Sequence, residues 1–404
     1  MATAFACSSS DVDEPRAIAG AGGITGGAGG ASVAGGAGVA GFAGGAGADA
    51  GRSGGGAAGF ANAGAAGADV AAGAPSAGAG GAPDAAAGSA GDMGNAGTAG
   101  AVSSEPQILT LSGAITYVHD PAIVKDGDTY YLFSTGQGVQ LRTSTDLKSW
   151  KAAGQVFASK PAWITTTGSS DPNNLWAPEV LYFGGTFHLY YAASKFGVNQ
   201  SCIGHATKAS LASEESWVDL GAAYCSNMGG PAQDFNAIDP NPFQDQQGKL
   251  WLSFGSFWSG LKMLRLDSDG NPSGPDFFSL ATRANTAVEA PYLFFHDGFY
   301  FLFESVDSCC QGSQSTYKIM VGRSTEVAGP YLDKSGVALS AGGGTLLVEG
   351  AGRWRGPGHN AILADGSRYL NIYHSYDANN GGVPTLRISE LIWTDDNWPV
   401  SAGP

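Results

Sequence analysis

The chain has 404 residues, and its 35 acidic residues against 20 Lys and Arg give a net charge of −15. Nucleic acids and anionic membranes are bound through basic patches, so this charge argues against both and is compatible with neutral partners such as sugars. The sequence contains no apolar run of about 18 residues, and it therefore predicts no segment that spans a bilayer.

The first 16 residues contain a lone cysteine, Cys7, in "MATAFACSSSD". Small and apolar residues precede it and three serines follow, which resembles the end of a bacterial lipoprotein signal that lacks its charged and long apolar regions. One interpretation is a lipid anchor on Cys7 and an extracellular or cell-surface protein. The alternative is a free cysteine in a disordered tail.

Residues 17–103 consist mostly of Gly and Ala, and 30 of the chain's 64 glycines lie there. A helix loses about 1 kcal/mol for each interior Gly, and few large apolar residues are present to build a core. The segment is therefore predicted to be a disordered linker that acts as a flexible tether. Residues 104–404 remain, which are enough for one large domain.

This domain repeats one pattern: a short apolar run, a turn glycine, and alternating aromatic and aliphatic residues, as in "KDGDTYYLFSTG". The pattern predicts a β-hairpin, and further β-like segments such as "VQLRTSTD" follow each one. The five turn glycines, at intervals of 58, 63, 50 and 68 residues, are Gly127, Gly185, Gly248, Gly298 and Gly366. Four short strands recurring at such intervals are typical of a propeller blade. The sequence thus predicts an all-β fold, a five-bladed β-propeller preceded by the tether.

An acidic residue or a histidine stands where the first strand of each predicted blade begins. These residues are Asp120 in "HDPA", Glu179 in "WAPEV", Asp239 in "AIDPNPF", Glu289 in "VEAPYL" and His359 in "GPGHNAI". First strands line the axis of a propeller, so we expect residues at equivalent positions to meet in one pocket. Clustered carboxylates repel one another, which favours chemistry or a bound cation, although any single acid could cap a turn or pair with an arginine.

Two carboxyl groups in one pocket suit glycoside hydrolysis. One must be a protonated acid, and the other must be an ionised base or nucleophile. A third acid nearby can raise the pKa of the first through repulsion.

Four cysteines lie within the domain. Their even number allows disulfides in an exported protein, and a bond between Cys202 and Cys225 is plausible. Cys309 and Cys310 are adjacent, so they form either a vicinal disulfide or two buried thiols. Their loop is expected to shape the rim of a groove.

Several motifs in order resemble glycoside hydrolase family 43 and, within it, endo-acting α-1,5-L-arabinanases. The resemblance covers about residues 112–400. Its motifs are "HDPAIVKDGDTYYLFSTG", "WAPEVLYFGGTFHLYYAASKFGVNQSCIG", "AIDPNPF", "FGSFWSG", "VEAPYLFF", "STYKIMVGRS" and "GPGHNAI". Single motifs are weak, whereas their order is specific. The resemblance implies a five-bladed propeller and an inverting single displacement.

The resemblance also implies roles for three acids. Asp120 would be the general base that activates water, Glu289 the general acid, and Asp239 the residue that orients Glu289 and raises its pKa. Inversion requires carboxyl groups about 6.5–9.5 Å apart. Glu179 matches a position that the family does not use as acid or base, and it is expected to be structural.

Further positions that match the family are expected to bind substrate or an ion. Trp176 and Phe196 match aromatic positions that line the family's groove, and Phe257 and Trp258 would extend that wall, unless these rings pack between blades. His119 would bind sugar or hold Asp120. His359 matches a histidine beside an axial ion, usually calcium with water ligands, although a core histidine bonded to backbone is the alternative.

The predicted function is cleavage of internal α-1,5 links in pectic arabinan by a monomeric exported enzyme that binds arabinan and arabino-oligosaccharides. Exo-arabinofuranosidase or β-xylosidase activity is the enzymatic alternative. A non-catalytic sugar-binding propeller is the alternative from another class.

Overall fold

The computed structural model describes residues 105–164, 174–227, 233–284 and 286–404. Cys7, the linker of residues 17–103 and the predicted boundary at residue 104 lie outside these ranges. Within them, no helix has the length and apolar character needed to cross a membrane.

The described strands form five sheets that follow one another along the chain. The first half contains β1 (Ser112–Gly113), β2 (Ala122–Asp126), β3 (Thr129–Ser134), β4 (Gly136–Gln137), β5 (Gln140–Ser144), β6 (Ser149–Gln155), β7 (Asn174–Phe183), β8 (Thr186–Ala193), β9 (Ser201–Lys208), β10 (Val218–Ser226) and β11 (Asn241–Gln244). The second half contains β12 (Leu250–Phe254), β13 (Leu261–Leu266), β14 (Pro272–Ala281), β15 (Val288–His296), β16 (Phe299–Val306), β17 (Lys318–Ser324), β18 (Thr345–Val348), β19 (Trp354–Asp365), β20 (Arg368–Asp377), β21 (Val383–Trp393) and β22 (Pro399–Ser401). Short 3₁₀ turns lie at Gly312–Gln314, Leu339–Ala341 and Ala378–Asn380.

Each sheet is one blade. The strand orders are β1-β6-β5-β3-β2, β10-β9-β8-β7-β4, β11-β12-β13-β14, β15-β16-β17-β18 and β19-β20-β21-β22. The inner strands β2, β7, β11, β15 and β19 contact one another in succession, and β19 contacts β2, so the ring is closed. The prediction of a five-bladed β-propeller is confirmed.

The predicted turn glycines lie in the hairpins between the first and second strands of the blades, and all five have a positive φ. Glycine adopts this conformation without the steric cost that a Cβ would impose. The hairpins therefore form where the sequence pattern placed them.

The buried apolar side chains form one large cluster between each pair of neighbouring blades. Blades 1 and 5, for example, share Leu132, Leu370 and Ile388, and blades 2 and 3 share Tyr190, Leu252 and Leu264. The other three blade junctions are filled in the same way. The aromatic and aliphatic residues that alternate in the sequence thus bury both faces of each blade.

Two disulfides join the four domain cysteines. Cys202 and Cys225 are paired residues of the neighbouring strands β9 and β10, which bears out the plausible bond. Cys309 and Cys310 form the vicinal bond rather than two thiols.

Candidate active site

Each blade has one residue that is not glycine and has a positive φ, either on its inner strand or two residues before it. These residues are Asp120 (51°), Ala177 (44°), Asp239 (56°), Ala290 (54°) and His359 (51°). Four of them precede a proline, and His359 precedes Asn360. Such conformations are costly for residues with a Cβ and persist where the surrounding fold imposes them, often at functional sites.

This left-handed position corrects one expectation from the sequence. The predicted residues do not all occupy equivalent positions, because Asp120, Asp239 and His359 share the left-handed position but Glu289 precedes it by one residue. Glu179 follows it by two residues, and the equivalent residue of blade 2 is Ala177. All of these residues lie within two positions of a proline, so the sequence alone does not distinguish the three offsets.

Asp120 is buried and lies among three histidines. Its Oδ1 is 2.7 Å from His119 Nδ1 and 3.2 Å from His359 Nδ1, and the hydroxyl of Thr135 donates to Oδ2 at 2.5 Å. The backbone N–H of Asp120 donates to His374 Nδ1 at 3.2 Å. Burial alone would raise the pKa of Asp120, but His119 and His359 outweigh it and hold that pKa well below its usual range. The Asp120 carboxyl group therefore favours its ionised form.

Asp239 and Glu289 are buried in the same pocket, with the opposite electrostatic result. Burial raises the pKa of Asp239 well above its usual value, and the charges of Glu289 and Asp120 add to this effect. Burial also raises the pKa of Glu289, against hydrogen bonds from Ser256 and Tyr317. The pocket thus combines an ionised carboxylate with two carboxyl groups that retain protons more readily.

Neighbouring blades fix the orientation of these two acids. Asp239 Oδ2 accepts from the backbone N–H of Ala290 at 3.1 Å, so it is tied to the residue that follows Glu289. The Ser256 hydroxyl donates to Glu289 Oε2 at 2.6 Å, and Ser256 and Glu289 also form an isolated β-bridge. Neither Ser256 nor Tyr317 was predicted from sequence, because each contacts Glu289 from a distant part of the chain.

Glu179 lies on β7, and its Oε1 accepts from the adjacent N–H of Val180 at 2.9 Å. Burial raises the pKa of Glu179 to about 8, although the Val180 bond and the charge of His359 oppose the rise. This buried acid contacts its own strand rather than the Asp120 cluster.

His359 is surrounded by acids. Its backbone N–H donates to Ser305 Oγ at 2.8 Å, while its imidazole faces Asp120. Burial would lower the pKa of His359, but Asp120, Asp239 and Glu289 raise it to about 9. An imidazolium or a bound cation can therefore balance the negative charge here.

His119, Asp120 and His374 are the described group whose donor atoms lie close enough together to suggest a metal site. However, the rings of His119 and His374 stack with centroids 3.9 Å apart and an angle of 27°. The nitrogen lone pairs of stacked rings lie in nearly parallel planes and do not converge on one ion. Both Nδ1 atoms also have partners around Asp120, so hydrogen bonding explains the group.

The predicted aromatic residues lie on blades 2 and 3. Trp176 is only 7% exposed and packs with Ala192, Ile238 and the half-buried Phe196, with 5.0 Å between the Trp176 and Phe196 ring centroids. Trp258 is 40% exposed, and the backbone N–H of Phe257 donates to Val288 O beside Glu289. The backbone of Phe257 is therefore tied to the residue before Glu289, whereas Trp176 packs mainly at a junction between blades.

Comparison with known proteins identifies relatives of this chain. The family model for glycosyl hydrolases family 43 matches residues 115–399. The extracellular endo-α-(1→5)-L-arabinanase 1 of Bacillus subtilis strain 168 is 41% identical over 289 residues, covering 70% of this chain and 87% of the relative. The extracellular exo-α-(1→5)-L-arabinofuranosidase ArbA of Cellvibrio japonicus strain Ueda107 is 39% identical over 300 residues, covering 70% and 85%.

A solved structure matches the fold as well. The α-L-arabinanase of Cellvibrio cellulosa complexed with arabinohexaose superimposes with a TM-score of 0.68 and 37% identity. The match covers 70% of this chain and 95% of that one.

Proposed function

Because this chain belongs to glycosyl hydrolases family 43, we propose that it hydrolyses internal α-1,5-L-arabinofuranosidic links of arabinan. The chain is a glycoside hydrolase. The observation that carries the assignment of roles is the contrast within one pocket: Asp120 is held ionised while the pKa values of Asp239 and Glu289 are raised. Hydrolysis of a glycosidic bond requires both protonation states at once.

In this mechanism Asp120 takes a proton from the attacking water. Glu289 donates its proton to the leaving glycosidic oxygen, so the sugar departs as a neutral alcohol. Asp239 orients Glu289 through the Ala290 N–H, while burial and the charge of Asp120 raise the pKa of Glu289. Asp239 would raise that pKa further whenever Asp239 is itself ionised. A single displacement of this type inverts the anomeric centre and needs a gap of about 6.5–9.5 Å between the acid and base.

Relatives support arabinan and arabino-oligosaccharides as substrates. One relative is named an endo-arabinanase, and a similar solved structure is a complex with arabinohexaose. The exposed Trp258 ring with Phe257, and Phe196 on the next blade, offer surfaces on which a furanose ring can stack. We propose that His119 holds the general base Asp120, which it contacts, and that its partly exposed ring also borders the bound sugar.

The test is the time course of the full chain on linear α-1,5-arabinan, with viscosity and product sizes measured on the same samples. We expect a rapid fall in viscosity and a ladder of oligosaccharides. Steady release of one small sugar with little change in viscosity would mean exo action instead of endo action. Exo action is the second candidate because one relative is named an exo-arabinofuranosidase. Binding without cleavage would mean a sugar-binding propeller.

We also propose one calcium ion beside His359. The charges of Asp120, Asp239 and Glu289 act on His359 and would attract a cation. An imidazole nitrogen is a poor calcium ligand, so water would supply most of the oxygen ligands. When bound, the ion would add positive charge that favours ionised acids nearby.

Chelation tests the ion against the alternative that the imidazolium of His359 supplies the charge itself. We expect EDTA followed by desalting to lower both the hydrolysis rate and the unfolding temperature, and CaCl₂ but not NaCl to restore them. No change in either quantity would favour the imidazolium.

Three further proposals concern location and oligomeric state. Relatives named as extracellular support secretion, and Cys7 would carry a lipid. Detergent-phase partitioning of the full chain and of Cys7→Ala tests the anchor, and size-exclusion chromatography tests the expected monomer.

A further inference from the structure

Tyr376 is a buried residue at the end of β20 whose hydroxyl contacts two groups from other blades. The hydroxyl oxygen lies 2.7 Å from His119 Nε2 and accepts a hydrogen bond from the backbone N–H of Cys310 at 2.8 Å. The Cys310 sulfur is also 3.6 Å from the hydroxyl and 3.7 Å from His119 Nε2. Blades 1, 4 and 5 therefore meet at one oxygen atom.

The hydrogens at this junction can be assigned from chemistry. His119 Nδ1 is 2.7 Å from Asp120 Oδ1, and an ionised carboxylate only accepts, so Nδ1 must carry a hydrogen. In a neutral imidazole Nε2 is then an acceptor, and the Tyr376 O–H donates to it. The Cys310 N–H occupies a lone pair of the tyrosine oxygen, which leaves the O–H free to point at His119.

The surroundings hold this arrangement in place. The His119 ring stacks on His374, and Tyr376 meets His374 edge-on at 5.3 Å between centroids. Burial raises the pKa of Tyr376, so its hydroxyl keeps the hydrogen that His119 needs.

We propose that Tyr376 is a positioning residue for the reaction: it fixes the tautomer and orientation of His119, and His119 in turn orients the Asp120 carboxylate. The inference rests on the proposed function, in which Asp120 is the general base. It gives a role to the vicinal disulfide as well, because the loop that carries Cys309 and Cys310 supplies the N–H that aligns the Tyr376 hydroxyl.

The first measurement needs no variant. Nitrogen-15 NMR of the full chain with labelled histidine reports which ring nitrogen of His119 is protonated, with the signal assigned by its loss in His119→Ala. We expect the Nδ1–H tautomer. A dominant Nε2–H tautomer or an imidazolium at neutral pH would overturn the proposal, whether or not the protein cleaves arabinan.

The second measurement is a double-mutant cycle on arabinan hydrolysis. Tyr376→Phe removes only the hydroxyl group. We expect kcat to fall about 10-fold or more, because the loss of one hydrogen bond in a charged network costs about a factor of 10. KM should change less than about 2-fold. In the His119→Ala background the same change should have little further effect.

Tyr373→Phe is the matched control. Tyr373 lies on the same strand, is fully buried, and its hydroxyl contacts Ser389 Oγ instead. We expect it to keep its kcat even if its unfolding temperature falls. Equal kcat losses in the two variants, or additive losses with His119→Ala, would make Tyr376 structural. A wild-type protein inactive on arabinan would refute the proposed function, while the NMR result would still decide whether Tyr376 fixes His119.

Discussion

At the scale of single residues, two acids that are buried to the same degree differ in pKa because their hydrogen-bond partners differ. Asp120 and Glu289 are both nearly inaccessible, at 7% and 6% exposure. Asp120 faces imidazoles, which lower its pKa, whereas Glu289 is held by neutral hydroxyl groups that cannot outweigh its burial. Two similar side chains thereby become fit for opposite proton transfers.

Substitution of these two acids should give different substrate dependences. We expect Asp120→Asn to reduce kcat at least about 10²-fold on every substrate, because the base is needed each time. Glu289→Gln should reduce it as much on arabinan but far less on a 4-nitrophenyl arabino-oligosaccharide, whose leaving group departs without protonation. Steady-state kinetics on both substrates provide the measurement.

Glu179→Gln is the control for that comparison. It removes a buried carboxyl group that hydrogen-bonds within its own strand, so kcat should stay within about 2-fold. If Glu179→Gln were as damaging as Glu289→Gln, or if Glu289→Gln were equally slow on both substrates, the assigned roles would be wrong.

Sequence reasoning predicted the three acids and His359 as site residues but not the polar residues that contact this group. Each of these four residues lies within two positions of a proline, which is a local signal in the sequence. Thr135, Ser256 and Tyr376 are ordinary polar residues whose function comes from contacts across the chain, for example 257 positions between His119 and Tyr376. Such contacts depend on the closed ring and leave no local signal.

At the scale of elements, the hairpin repeat was predictable because glycine and alternating apolar residues are local signals. The left-handed residue on or just before each inner strand was not predictable, because this position is occupied by Asp, Ala or His rather than by glycine. Glu289 is shifted by one residue relative to this position, which Asp120 occupies. The sequence repeat therefore predicts the number of blades, but it does not predict which residues occupy equivalent positions in them.

A buried histidine pair links blade 2 to the β13–β14 turn of blade 3. His188 Nδ1 lies 2.9 Å from His205 Nε2, and the Tyr190 ring stacks on His205 while its hydroxyl donates to Gly270 O. Burial lowers the pKa of both histidines to about 4, and His188 adds to the effect on His205, although Asp269 and Asp267 oppose it.

This pair should make the protein less stable in acid. Histidine in an unfolded chain has a pKa of about 6.5, so between about pH 6.5 and pH 4 the unfolded state binds more protons and the free energy of unfolding falls as pH falls. Two protons give a slope of up to roughly 2.7 kcal/mol per pH unit. Above about pH 6.5 the pair should contribute no pH dependence.

Urea unfolding of wild type and of a His188→Gln, His205→Gln variant at several pH values separates this term from other acid-titrating groups. The variant should show a shallower slope between pH 4 and 6.5 and the same slope as wild type above it. Identical slopes throughout would mean that the pair is protonated alike in both states.

At the scale of the whole molecule, the segment before β2 joins the last blade to the first. Leu109 N–H donates to Ile388 O and Leu386 N–H to Ile115 O on the blade 5 side, while Ser112 N–H donates to Lys148 O on blade 1. Strand β1 then pairs with β6 in parallel and covers an otherwise open strand edge. Leu109, Leu111 and Ile115 pack against the cluster shared by blades 1 and 5.

Two truncations should therefore differ sharply in stability. A chain that begins at Ser104 keeps the whole segment, and we expect its unfolding temperature to equal that of the full chain. A chain that begins at Ile115 loses the four backbone hydrogen bonds by which Gln107, Leu109, Ser112 and Ala114 join blades 5 and 1, together with the packing of two leucines. At about 1 kcal/mol per bond the free energy of unfolding should fall by about 4 kcal/mol.

The shorter chain should also hydrolyse arabinan more slowly, because Asp120 and His359 come from the two blades that this segment joins. Equal stability of both truncations would mean that the contacts between β19 and β2 close the ring without the segment.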